Sequence, residues 1–303
     1  MSADPVPLST LHSRRALLAL MAGSAVLPAL PALADPLPSR IVSLDYGLAS
    51  TLLSLGVVPA AVASLADWGK WVVEPEMPAS TIDLGNSWEV NFEMLVSLKP
   101  DLILSTPYLD ALQPRLETVA PVARLEVFSA EGGDILPKAI AATRKLGQRI
   151  GRVREAEDFL KRADDTFEAY RQRLSGRAAP PLALVNFMDA RHARIYTKSG
   201  LYDNVLTRIG LTNAWQGPGN YWGFETIGIE QLSAVTSPDA RLIAFDPVPA
   251  DVLPKLGQSP LWNALPFARP GHFAVLPPAL MFGMVNDALR FARLITTHLE
   301  DTL

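Results

Sequence analysis

Short apolar runs alternate with stretches of helical period along most of the chain, beginning after Asp35. Arg40-Ile-Val-Ser-Leu44 has the length and β-branched content of a buried strand. Leu48 to Leu55 reads as a helix ended by Gly56, and Val57 to Ala63 as a second strand. Asn91 to Leu98 predicts a short helix. Asn91 is its expected N-cap, and Glu93 lies in the first turn, where the helix dipole favours a carboxylate. That helix stops before Pro100, and Asp101 to Ser105 follows as a buried strand. Strands and helices alternating in this way argue for α/β units on a mainly parallel sheet.

The middle of the chain changes character. From Asp134 to about Leu174 the pattern is helical, with one break near Gly147 to Gly151. Its second half, Arg152 to Leu174, carries Ala156, Phe159, Leu160, Ala163, Phe167 and Tyr170 on one stripe. Ser175-Gly176 and Pro180-Pro181 end it. The α/β pattern then restarts with a strand at Leu182 to Val185, a helix near Leu201 to Ile209 and a strand at Arg241 to Phe245. A last strand, His272 to Leu276, and a helix, Val285 to Leu299, complete the chain. The expected organisation is an α/β lobe over 35–150, a linking helix over 151–175 and a second α/β lobe over 176–303. Ligand pockets favour the interface between two such lobes.

Residues 1–34 are expected to be an export signal rather than part of the fold. Ser13-Arg14-Arg15 precedes an apolar stretch to about Leu30, and Ala32-Leu33-Ala34 offers a small-residue cleavage site. The paired arginines point to the twin-arginine route. Pro28 and Pro31 interrupt the stretch, against a membrane anchor. Cysteine is absent, which excludes disulfides, Cys-ligated metals, a Cys nucleophile and a lipid-bearing cysteine. The mature protein is therefore expected to be free in the periplasm. A net charge of −4, without any basic run, gives no electrostatic footprint for nucleic acid.

Catalytic constellations are scarce. His192, His272 and His298 lie far apart, with His192 in an apparent Arg-flanked turn. No H-E-x-x-H, G-x-S-x-G or phosphate-binding glycine motif occurs, and Ser87 follows Asn86 without a nucleophile elbow. Aromatic residues, in contrast, gather in segments that read as loops. Tyr46 follows the first strand, Trp68 and Trp71 the second, Trp88 precedes the Asn91 helix and Tyr108 lies past Ser105. Trp215, Tyr221, Trp222 and Phe224 surround Gly217-Pro218-Gly219. Loops at strand C-termini line the crevice of an open α/β sheet, and aromatics there offer flat faces to a large ligand.

The segments Arg40-Ile-Val-Ser-Leu-Asp-Tyr46, Trp71-Val-Val-Glu-Pro75 and Asn91-Phe-Glu-Met-Leu95…Lys99-Pro-Asp-Leu-Ile103 resemble the ferric-hydroxamate-binding family. So do Asp189-Ala-Arg-His192, Asn213-Ala-Trp-Gln-Gly217, Tyr221-Trp-Gly223 and Ser259-Pro-Leu-Trp-Asn-Ala-Leu-Pro-Phe267. The resemblance implies the helix-linked (class III) periplasmic binding protein fold, with two Rossmann-like lobes on one rigid helix. It implies an iron(III)-siderophore ligand whose chelator supplies every iron ligand, no protein cofactor or metal, and a monomer that serves an inner-membrane ABC permease. The pocket residues carry over to Tyr46, Trp71, Ser87, Trp88, Tyr108, Trp222, Phe224 and Phe282, with Trp215 beside them.

The resemblance is incomplete at three places. The family's hydroxamate-binding arginine falls at Ser87, a neutral donor. A tryptophan and a tyrosine fall at Leu280 and Phe282. Of the two carboxylates that meet the transporter, Glu230 fits the second lobe. In the first lobe Gln113 or Pro114 occupies the place, leaving Asp110 or Glu117 to substitute. Haem or a corrinoid would also suit stacked aromatics, and the lobe order alone would suit a two-domain enzyme.

Overall fold

Strand β1 (Ile41–Ser43) forms the centre of a five-stranded sheet in the order β3-β2-β1-β4-β5. Its partners are β2 (Ala61–Val62), β3 (Ile82–Asp83), β4 (Leu102–Ser105) and β5 (Val122–Arg124), all parallel. The second sheet runs β10-β9-β6-β7-β8. Here β6 (Leu182–Phe187), β9 (Arg241–Phe245) and β10 (Phe273–Leu276) are parallel. The pair β7 (His192–Tyr196) and β8 (Phe224–Gly228) joins antiparallel. The computed structural model describes residues 37–303, so the expected signal segment, 1–34, lies outside the described residues.

The fold is the α/β class read from the pattern, with one correction. His192 does not lie in a turn and Phe224 does not lie in a loop: each begins a strand, and the two strands pair antiparallel where β8 forms the sheet edge. In that pair Ala193, Ile195 and Ile227 face a buried core, while the alternate positions carry His192 and Arg194 on β7 and Thr226 on β8. Such alternation marks a half-buried strand, not the unbroken apolar run of a central parallel one.

Local chemistry explains the other elements. The helix Tyr46–Ser54 starts where the Leu48 amide donates to the Asp45 carboxylate at 2.9 Å, and Asn91 caps the helix Phe92–Leu98 through the Met94 amide at 3.0 Å. The long helix Val153–Leu174 buries Ala156, Phe159, Leu160, Ala163 and Phe167 on one stripe and exposes its charged face.

That stripe belongs to a core common to both sheets. Ile41 and Leu104 of the first sheet, Leu184 and Ile243 of the second, and Phe291 and Ile295 of the C-terminal helix (Val285–Thr302) all contribute. Tyr202 stacks on Phe291 with centroids 4.1 Å apart. The C-terminal helix is also tied to the first sheet's side, because Asn286 donates to the Ser50 carbonyl at 2.9 Å. Glu74 pairs with Arg290 at 2.7 Å and with Arg293 at 2.8 Å. Residues 37–303 accordingly form one compact unit.

Candidate functional site

Strand order reverses beside β1, and ligands of open α/β sheets bind at such switch points. The segments after β1 and β4 place Asp45, Tyr46 and Tyr108 there. Facing them across a cleft of about 450 Å³ are Trp222, Phe224, Leu280 and Phe282 from the second lobe. Trp71, Ser87, Trp88 and Phe128 close the first-lobe side. Of the nine ligand-binding positions expected from sequence, eight thus line one cavity.

The rings form a connected chain across it. Trp88 and Tyr108 have centroids 5.5 Å apart, and Tyr108 and Trp222 are 6.0 Å apart across the cleft. Trp222 stacks on Phe128 at 5.4 Å and 27°, and meets the edge of Phe282 at 5.4 Å and 87°. Such pairs add about 0.5–1.5 kcal/mol beyond simple burial. Trp88, 63% exposed, leaves an indole face at the rim.

A tight turn aims Trp222. The Asn220 side chain accepts from the Trp222 amide at 2.9 Å, and Gly223 follows with φ of +79°. A Cβ on Gly223 would lie 2.2 Å from the Gly200 Cα, so the Trp-Gly pair is required by backbone packing. On the first lobe, Trp71 ends the short helix Trp68–Trp71, and Val73 just beyond it holds φ of +67°. A β-branched residue rarely adopts that angle, and such strain concentrates at functional sites.

Hydrogen bonds fix the two phenols. Tyr46 donates to the Ser64 carbonyl at 2.5 Å, and Tyr108 donates to Asp45 at 3.1 Å. Burial, helped by the nearby Asp67 charge, pushes the Tyr46 phenol up to about 12. Burial also raises Tyr108, with the Asp45 charge adding to it. Both are therefore neutral phenols at physiological pH. Burial raises the Asp45 carboxyl as well, against the bonds from Leu48 and Tyr108. Ser87 is held by its amide, which donates to the Ser64 Oγ at 3.2 Å.

Trp215 is the exception among the expected ligand residues. It is 5% exposed and sits in the core on the other face of the second sheet, with Phe187 and Ile227. Its amide donates to the Asn213 side chain at 3.0 Å, and Gly217 packs directly against its indole. The Asn-Ala-Trp-Gln-Gly motif therefore builds the fold beneath the cleft and gives it no surface. Phe128, Asp45 and Arg194 line the cavity without having been singled out. Arg194 had a signal, as a lone cation between Ala193 and Ile195 at strand spacing.

The expected transporter-facing carboxylates lie elsewhere on the surface. Glu230 is exposed just past the Gly228 end of β8, opposite the end that carries Phe224. Asp110 is engaged by Arg124 at 2.6 and 3.0 Å, whereas Glu117 accepts only from the Gln113 amide, at 2.8 Å. Among the described residues no cluster of three or more His, Asp or Glu is arranged to hold a metal ion. No helix among them is long and apolar enough to cross a membrane.

The sequence pattern of the periplasmic binding protein family matches residues 41–280, most of both lobes and the helix between them. The chain belongs to that family. It is 33% identical, over 94% of its length and 96% of the relative's, to the iron(3+)-hydroxamate-binding protein FhuD of Escherichia coli K12. It is 27% identical over 60% of its length to the achromobactin-binding periplasmic protein of Dickeya dadantii, covering 59% of that protein. Among solved structures, the Fe3+–Desferal-bound siderophore-binding protein FhuD of Vibrio cholerae superimposes with a TM-score of 0.80. That structure is 28% identical, and the match covers 86% of this chain and 97% of that one. These relatives are named as binding proteins, not enzymes.

Proposed function

We propose that this chain is the substrate-binding component of an ABC importer, carrying an iron(III) siderophore through the periplasm to an inner-membrane permease. The observation that carries the reading is the ring chain Trp88–Tyr108–Trp222–Phe282, which spans the cleft from one lobe to the other. The cleft's phenols, Tyr46 and Tyr108, are neutral and already bonded, so they suit a ligand whose iron is fully coordinated by its own chelator. The relative in Escherichia coli, named for iron(3+)-hydroxamate binding, and the Fe3+–Desferal-bound siderophore-binding protein of Vibrio cholerae support a chelate with hydroxamate groups.

In this reading Tyr46, Trp71, Ser87, Trp88, Tyr108, Trp222, Phe224 and Phe282 contact the ligand, and no other cofactor is involved. Residues 1–34 serve as a twin-arginine export signal, and the mature protein works as a monomer without a lipid anchor. Glu230 and, in the first lobe, Glu117 in preference to the Arg124-bound Asp110 meet permease arginines.

Native mass spectrometry of the protein recovered from iron-starved cells tests this. The bound mass should be that of an iron(III) chelate. A retained haem or corrin, visible by its absorbance, would contradict it.

A further inference from the structure

Among the described residues that line the cleft, one is a cation. Arg194 is the third residue of β7, and its neighbours Ala193 and Ile195 are buried in the outer core of the second lobe. Strand alternation turns Arg194 to the opposite face. There it lines the aromatic cleft and also an adjoining chamber of about 200 Å³ that shares Trp71, Leu280 and Phe282 with it. Its guanidinium carbon lies 4.4 Å from the centroid of Phe224 and 5.5 Å from that of Phe282.

The group is held in place but not neutralised. Arg194 makes no ion pair among the described residues, and its Nε is buried without a hydrogen-bond partner. Two other charged side chains line these chambers. Asp45 is taken by the Leu48 amide and the Tyr108 hydroxyl, and Asp246 accepts from the Val248 amide at 3.3 Å. Leaving a buried donor unmade costs stability, and a guanidinium fixed between rings is prepared for a planar anionic oxygen pair. The first-lobe rim, by contrast, supplies the neutral hydroxyls of Tyr46, Ser87 and Tyr108.

We propose that Arg194 is the specificity-determining residue of the cleft. It binds an anionic oxygen of the ligand from the second lobe, and so selects iron(III) chelates that carry a free carboxylate at that end over neutral chelates. The inference rests on the iron-chelate reading of the cleft.

Titration of the wild type and of Arg194→Gln with two iron(III) chelates tests it: a citrate-based dihydroxamate with a free carboxylate, and the neutral trihydroxamate ferrichrome. The wild type should prefer the carboxylate-bearing chelate. Arg194→Gln should bind that chelate at least tenfold more weakly and change its affinity for ferrichrome less than threefold. Arg194→Lys, which keeps the charge but not the fork, should fall between. Wild-type affinity for the carboxylate-bearing chelate alone should weaken as salt is raised, a readout that does not depend on any variant folding. Equal losses on both chelates, or no loss, in a variant with an unchanged melting temperature would overturn the assignment and leave the cargo reading standing. If the wild type binds neither these chelates nor any other iron(III) chelate, the cargo reading fails and the assignment with it.

Discussion

The two lobes meet at one cleft but bring different chemistry to it. The first lobe has a wholly parallel sheet, and beside the rings of Trp71, Trp88 and Phe128 it contributes two phenols from segments after β1 and β4, bonded to Ser64 and Asp45. The second lobe has a mixed sheet, and it contributes Arg194 from β7, Trp222 and Phe224 where β8 begins, and Leu280 and Phe282 past β10. Both sides offer rings, but one adds fixed hydroxyls and the other adds a charge. Beneath the cleft the lobes are not separate, because the linking and C-terminal helices pack into a core that both sheets share. Recognition is divided between the lobes while stability is common to them.

The common core can be attacked most strongly. Phe291→Ala, at a fully buried ring stacked on Tyr202, should cost about 3–5 kcal/mol of unfolding free energy. Both lobes should still melt together in calorimetry. Two separated transitions in the wild type would break the idea of a shared core.

Trp222→Ala removes the ring that bridges the lobes, and should weaken ligand binding by about 1–3 kcal/mol in calorimetric titration. Trp215→Phe, at the buried tryptophan, should leave affinity nearly unchanged, which sharpens the distinction between cleft and core.

A pH effect on the common core concerns Asp287, at the start of the C-terminal helix. Burial pushes its carboxyl up to about 7, against the bond from the Met284 amide. A carboxyl raised on folding contributes stability that is fully present below its unfolded value. That stability is lost as pH rises from there through about 7. Stability from denaturant unfolding should therefore fall between about pH 4 and 7, by at most about 1.4 kcal/mol per pH unit. Asp287→Asn should flatten that slope, and an unchanged slope would assign it to other groups.

The smallest expected change is in shape. With one helix between the lobes and a core on both sides of it, X-ray scattering profiles should nearly coincide with and without ligand. Clear compaction on binding would show that the lobes hinge after all.

Much of this was legible in the sequence because the governing periodicities are strong. The stripe Ala156, Phe159, Leu160, Ala163, Phe167 identified the linking helix, and the apolar run after Asp101 identified β4. Cleft aromatics such as Tyr46 and Tyr108 could be found because they follow the C-terminal ends of strands. The β7–β8 pair was hidden, since polar and apolar residues mix along its strands and the helix Leu201–Arg208 separates them in sequence. Arg194 showed there as a lone cation at strand spacing, but only the strand assignment turns that side chain toward the cleft. Trp215 misled for the opposite reason: it neighbours cleft residues in sequence, but its loop folds onto the other face of the sheet.

The most direct measurement of the central claim is a tryptophan fluorescence titration of the purified protein with iron(III) siderophores. Trp88 and Trp222 line the cleft, so a bound iron chelate should quench emission saturably, with a dissociation constant on the order of micromolar or lower. No saturable quenching by hydroxamate, catecholate or carboxylate chelates, in a protein that melts cooperatively, would contradict the account.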